Sequence, residues 1–236
     1  SKFISTHSVF HGDYIPSTFD RARLQTLLKL GYPIGLSLCL QTGLFSVLTL
    51  IVGRFGTIQA SAHQIVLNYS GFVFMVPLGL SMAITVCVGQ LIGKGELNAS
   101  KQLAFHGILL CLIISILGSY ISFFHPSLIC SIYTDVPEVQ NLAIPLLKIA
   151  AFVQIGDAMQ TAASFALRGM KDTKIPMIMN FISYWVVGFS ISYILGVVLD
   201  YGTKGVWLGL IVALLFAGIC QMLRLVYLTN KFNRLH

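Results

Sequence analysis

The sequence predicts an all-α integral membrane fold, a bundle of six transmembrane helices. Three observations carry that prediction. Of 236 residues, 56% are hydrophobic and only 10% are charged, whereas a soluble domain averages about 25% charged. The apolar residues gather into six stretches, about 31–53, 62–93, 103–124, 142–167, 176–199 and 205–228. At 1.5 Å per residue, a stretch of about 22 residues reaches about 33 Å, enough for a hydrocarbon core of about 30 Å. None of the stretches has the short alternating pattern of a barrel strand, so helices are the form that satisfies the backbone in lipid.

The elements follow in order. The first helix opens near Pro33 and carries the polar residues Ser37, Gln41 and Thr42. The second carries His63, Gln64, Asn68 and Ser81, with Pro77 in its middle. Pro77 removes an i→i−4 hydrogen bond and bends the helix. With Gly79 beside it, the bend serves either as a hinge or as a static kink. The third helix is followed by a loop, 125–141, that holds Asp135 and Glu138 and no Lys or Arg. There Asp135-Val136-Pro137-Glu138 reads as a cap opening the fourth helix, where acids are favoured without any bound metal. The fifth helix carries Asn180, Ser183 and Tyr184. Gln64 and Asn68 are one turn apart, as are Asn180 and Tyr184, so each pair can face the bundle interior. There they either line a cavity or make interhelical hydrogen bonds worth about 0.6 kcal/mol each. GxxxG spacing, which lets helices approach closely, occurs at Gly31/Gly35, Gly89/Gly93 and Gly205/Gly209.

The loops give an orientation. Lys2, Arg21, Arg23, Lys29, Lys94, Lys101, Arg168, Lys171, Lys174, Arg224, Lys231 and Arg234 fall on one side; Arg54, Lys148 and Lys204 belong to the other. The positive-inside rule places the richer side, with both termini, in the cytoplasm. Six helices return the chain to its starting side, so helix number and charge bias agree. The expected location is a multi-pass plasma membrane, the inner membrane in a bacterium. The same bias explains the net charge of +7 without a nucleic-acid partner.

Several function classes are excluded by motif. The five cysteines form no CxxC pair, and four lie in apolar stretches, so they read as small apolar residues. HExxH, GxSxG and P-loop patterns are absent from the sequence, so it does not read as an enzyme or an ATP-driven pump. His63 and His106 stand on different helices with no acid at a fixed offset and read as packing or hydrogen-bonding residues. The first thirty residues have no signal-peptide pattern.

Asp157 is the exception in this apolar chain. It is the only acid between Leu142 and Leu167. A carboxylate at membrane depth is costly and marks an ion or substrate path by default. Gln154, Asp157, Thr161 and Ser164 fall at i, i+3, i+7 and i+10, which draws one polar stripe along a helix. The alternatives are an acid neutralised by a structural Lys or Arg, or one held protonated. In the functional reading the carboxylate binds one cation, Na⁺ for example, with amide carbonyls and hydroxyls completing the shell, or takes up a proton. Either event changes the charge of a cavity and biases two conformations. An organic cation competing for the same group gives antiport. No organic cofactor is called for; Na⁺ or H⁺ is the coupling ion.

An ordered set of motifs resembles the C-terminal lobe of the multidrug and toxic compound extrusion (MATE) transporters. It comprises Leu30-Gly31-Tyr32-Pro33, Ala62-His63-Gln64-Ile65 with Asn68, Pro77-Leu78-Gly79, and Val88-Gly89 with Gly93. Gln154-Ile155-Gly156-Asp157, Leu167-Arg168-Gly169, Asp172-Thr173-Lys174 and Tyr184-Trp185 with Gly188 complete it. The resemblance runs from about residue 20 to the end. It implies one six-helix lobe of a two-lobe transporter with pseudo-two-fold symmetry and a V-shaped cavity, working as a cation-coupled antiporter of organic cations and amphipathic drugs. Asp157 falls on the carboxylate implicated in coupling. Gln41 stands where family members often carry a Glu, and Val153 where many Na⁺-coupled members carry a Tyr. Gln41 offers a carbonyl oxygen but cannot titrate.

The expected organisation is a cytoplasmic interlobe linker over 1–27 and a transmembrane lobe over 28–236. The chain is expected to be a fragment that pairs with an N-terminal six-helix lobe in the bilayer. The expected cavity residues are Gln41, Gln64, Asn68, Gln154, Thr161, Asn180 and Tyr184 around Asp157. Two rival readings are a flippase of lipid-linked precursors and a non-transporting membrane subunit or half-size protein. The flippase calls for several basic residues in the cavity, and none is expected at mid-membrane.

Overall fold

The computed structural model describes residues 21–234. Seven helices follow one another: α1 Arg21–Gly53, α2 Thr57–Gly93, α3 Leu97–Phe124, α4 Pro126–Tyr133, α5 Pro137–Gly169, α6 Lys174–Val198 and α7 Gly202–Arg234. All but the short α4 are long and apolar enough to cross a membrane. The chain is therefore an integral membrane protein of six spans, and each expected apolar stretch falls on one of them, the fifth overrunning its helix by Leu199.

The differences lie at the ends and in one loop. The sequence stretches stop where polar residues begin, but helices continue into the interface, so α1 starts at Arg21 and α5 ends at Gly169. Residues 21–27 thus belong to α1 and not to a linker, while 1–20 lie outside the described residues. The loop 125–141 contains α4, which opens on Pro126 as its first residue; proline suits that position because its missing N–H has no intrahelical partner there. The Asp135–Glu138 segment does open α5, with Pro137 first and Glu138 in the first turn.

α5 is the axis of the bundle, packed against α2, α3 and α7. In α5 and α7, 50% of the most apolar window is buried, against 17% in α1, which sits at the edge with Tyr32 and Leu50 facing outward. A row of small residues explains the closeness of α5 and α7: Gly156 lies against Leu214 and Leu215, and Gly218 against Met159 and Gln160.

α6 does not follow regular α geometry throughout. Ile182–Gly188 and Ile194–Val198 are wide π turns. α6 nevertheless packs tightly on α7, with Gly188 against Ala213, Gly196 against Val206, Gly205 against Leu195 and Gly209 against Ser192. Of the three GxxxG pairs, Gly205/Gly209 therefore forms a close seam. No neighbouring atom approaches the β-positions of Gly31, Gly35 or Gly93 within 4 Å.

The loop after α5 is fastened twice. A β-carbon on Gly169 would lie 2.8 Å from the Thr85 carbonyl oxygen of α2, which requires glycine there. Beyond it, Asp172 pairs with Arg224 of α7 at 2.8 Å.

Candidate functional site

The polar stripe of α5 faces a partly open cavity of about 330 Å³ lined by α1, α2, α3, α5 and α7. Gln154, Asp157, Thr161 and Ser164 all line it, because their spacing turns one face of α5 inward. Gln41 meets them from α1 and Ser70 and Pro77 from α2. Apolar Leu38, Phe45, Phe74 and Phe165 form much of the remaining wall.

Asp157 is half-buried and is the only acid on that wall among the described residues. Gln41 Nε2 donates to its Oδ1 at 3.3 Å, and Thr161 Oγ1 donates to the same atom at 3.4 Å. Oδ2 enters no hydrogen bond among the described residues. No ion pair joins Asp157 to a basic side chain there either, since the pair found is Asp172–Arg224. A structural counter-ion is thus excluded within this lobe as described. Among the described residues, neutral donors hold one carboxylate oxygen and leave the other without a hydrogen bond.

Gln154 is held differently. Its amide donates to Ser70 Oγ and Ser122 Oγ at 3.4 and 3.3 Å and accepts from Ser119 Oγ at 3.3 Å. Its backbone carbonyl accepts from Ser115 at 2.9 Å. It borders the cavity, but its hydrogen bonds pin α5 to α2 and α3.

Four expected cavity residues lie elsewhere. Gln64 and Asn68 are exposed and border a different cleft beside α4, where the Tyr133 hydroxyl donates to Asn68 Oδ1 at 3.0 Å. α4, which the apolar pattern did not reveal, contributes Tyr133 to that cleft. Asn180 and Tyr184 do face the interior, but at 2% and 0% exposure they are packed rather than cavity-lining. Asn180 Oδ1 accepts from Gln160 Nε2 at 3.3 Å and from Gln221 Nε2 at 2.6 Å. The Tyr184 hydroxyl has no hydrogen-bond partner among the described residues.

Gln160 and Arg168 are among the cavity residues that escaped the sequence reading. Gln160 stands three residues after Asp157, as Thr161 stands four, so the same helical period contains it. Arg168 continues the stripe four residues after Ser164; assigning it to the loop concealed this. It lines the cavity from the last turn of α5, with its guanidinium 4.4 Å from the Phe165 ring centroid, and so adds a basic group at the end of the wall rather than at mid-membrane. Pro77 lies inside an unbroken α2, buried, with its carbonyl accepting from Ser81 Oγ at 2.7 Å. His63 is a packing residue: Trp207 Nε1 donates to its Nδ1 at 3.0 Å, which leaves the proton on Nε2, 3.1 Å from Thr49 Oγ1.

The MatE family model matches residues 33–194. The chain belongs to the MatE family. It is 38% identical over 231 residues to the "Probable multidrug resistance protein NorM" of Bacillus cereus (strain ATCC 10987 / NRS 248), covering 98% of this chain and 50% of that protein. The protein of the same name from Xylella fastidiosa (strain 9a5c) is 39% identical over 198 residues, which is 84% of this chain and 42% of that one. The chain thus spans about half the length of these curated relatives. Among solved structures, MATE in the bent conformation superposes with a TM-score of 0.84 at 16% identity, over 92% of this chain and 48% of that chain. The eukaryotic MATE transporter AtDTX14 superposes with a TM-score of 0.82 at 18% identity, over 92% of this chain and 51% of that one. This MatE chain therefore has the fold of half of such a molecule.

Proposed function

We propose that this chain is one six-helix lobe of a cation-coupled antiporter that exports organic cations and other amphipathic drugs, with Asp157 as the coupling residue. The supporting observation is a cavity carboxylate, the only one on that wall among the described residues, anchored through Oδ1 by Gln41 and Thr161 and without a described hydrogen bond at Oδ2. Such a group holds one Na⁺, one H⁺ or the charged centre of one drug at a time. Competition for it makes uptake of the ion release the drug. The apolar walls suit the drug body and need no particular scaffold. Gln41 contributes its amide and no second charge.

The reading includes a companion six-helix lobe. It also includes the orientation given by loop charge, with both ends in the cytoplasm and the protein in the plasma membrane or a bacterial inner membrane. Arg168 alone gives the wall too little basic character for a lipid-phosphate carrier, so the drug reading is preferred. The test is gradient-driven efflux of a fluorescent cationic drug by the two-lobe transporter carrying this sequence. Asp157→Asn is expected to abolish dependence on the ion gradient while leaving the protein folded in the membrane. Undiminished gradient-driven efflux in that variant would overturn the coupling role.

A further inference from the structure

We infer that Gln160 and Asn180 are positioning residues for the coupling carboxylate: they provide the Thr161 hydroxyl with a second place for its proton when Asp157 is loaded. This rests on the coupling role proposed for Asp157. The hydroxyl has one hydrogen and two acceptors in reach, Asp157 Oδ1 at 3.4 Å and Gln160 Oε1 at 3.2 Å. It can donate to one of them at a time.

The charge on Asp157 decides between them. An ionised carboxylate draws the hydrogen, because a charge-assisted bond is roughly twice as strong as a neutral one. Once Asp157 carries a cation or proton, that advantage ends. A cation on the carboxylate also needs a lone pair from Thr161 Oγ1, not its hydrogen. The hydroxyl then turns to Gln160 Oε1. No covalent bond changes; one O–H rotates.

The second acceptor is available because the amide of Gln160 is held in one sense. Its Nε2 donates to Asn180 Oδ1, and Gln221 Nε2 of α7 donates to the same oxygen at 2.6 Å. Gln221 is fully buried, and its Oε1 has no partner among the described residues. Reversing all three amides would bury an unpartnered NH₂ there in place of a carbonyl, which is the costlier defect. The favoured sense leaves Gln160 Oε1 facing Thr161. The load state of Asp157 is thereby felt by α6 and α7 through side chains that never touch the ligand.

Few other charges bear on the carboxylate. Among the described residues, the Tyr184 phenol of α6 is the titratable group near it, and Arg168, eleven residues further along α5, is the one other charged group on the cavity wall. The cavity wall of α1, α2, α3 and α7 is neutral, including Gln41, Thr42, Ser70, Ser115 and Trp207.

The experiment reconstitutes this lobe with its companion lobe in proteoliposomes. Drug efflux is measured against Na⁺ at fixed pH and against pH without Na⁺, and binding of the same drug is measured separately. Thr161→Val and Gln160→Met are each expected to shift the half-maximal cation concentration by about tenfold, with drug binding retained as evidence of folding. Thr161→Ser restores the hydroxyl and is expected to return the profile towards wild type. The inference fails if Thr161→Val or Gln160→Met keeps the wild-type cation profile while Asp157→Asn loses gradient dependence. If Asp157→Asn also keeps that dependence, the coupling reading itself is what fails.

Discussion

At the residue scale, burial and bonding separate side chains that look alike in the sequence. Tyr184 and Trp207 are both fully buried. The indole N–H of Trp207 is spent on His63, whereas the Tyr184 hydroxyl has no partner among the described residues. Removing a bonded donor leaves His63 Nδ1 stranded, so Trp207→Phe is expected to cost about 1–3 kcal/mol. Tyr184→Phe removes an unsatisfied hydroxyl and is expected to be neutral or stabilising. Thermal unfolding in detergent checks both, and a large loss for Tyr184→Phe would mean that its hydroxyl has a partner after all. Asp157 and its stripe were legible because a lone acid and a helical period are both sequence properties. Asn180 and Tyr184 were legible as interior but not as packed, since period finds the inward face without saying whether that interior is filled. Arg168 was missed because apolarity ends before the helix does.

At the element scale, the α6–α7 seam is made by absent side chains. Gly209 lies directly against Ser192 and Gly205 against the Leu195 backbone, and a backbone cannot move aside as a flexible side chain can. Gly209→Val is therefore expected to separate the two helices and lower the yield of folded protein. Gly31→Ala and Gly35→Ala, in open surroundings, are expected to be neutral or to gain a few tenths of a kcal/mol from helix propensity. Size-exclusion profiles and melting curves distinguish these outcomes. All three GxxxG pairs read alike in the sequence; which one formed a seam depended on which helices became neighbours. The π turns of α6 had no sequence signal in the apolar pattern, and α4 was hidden because eight residues are too few to read as a span.

At the scale of the whole molecule, six spans bring the two ends of the described chain to one face, the face richer in Lys and Arg. Cysteines placed one at a time on a cysteine-free background report that orientation. Asp135→Cys is expected to react with an impermeant maleimide added to intact cells, and Lys171→Cys only after the membrane is opened. The reverse pattern would invert the topology and with it the proposed direction of export. Six spans were legible because hydrophobic length is a direct requirement of the bilayer. The edge position of α1 was not, because it depends on which faces find partners.

Asp157, the one acid of the cavity wall among the described residues, has an electrical consequence. If Asp157 exchanges one monovalent ion for one monovalent drug cation, this lobe moves no net charge per cycle. Its exchange then follows the chemical gradient of the ion and is insensitive to membrane voltage. A dication leaving against a single ion would instead carry current. Clamping proteoliposomes with potassium and valinomycin while following mono- and dicationic dyes of similar shape reads this directly. Equal voltage dependence for both dyes would show that charges outside this lobe set the stoichiometry.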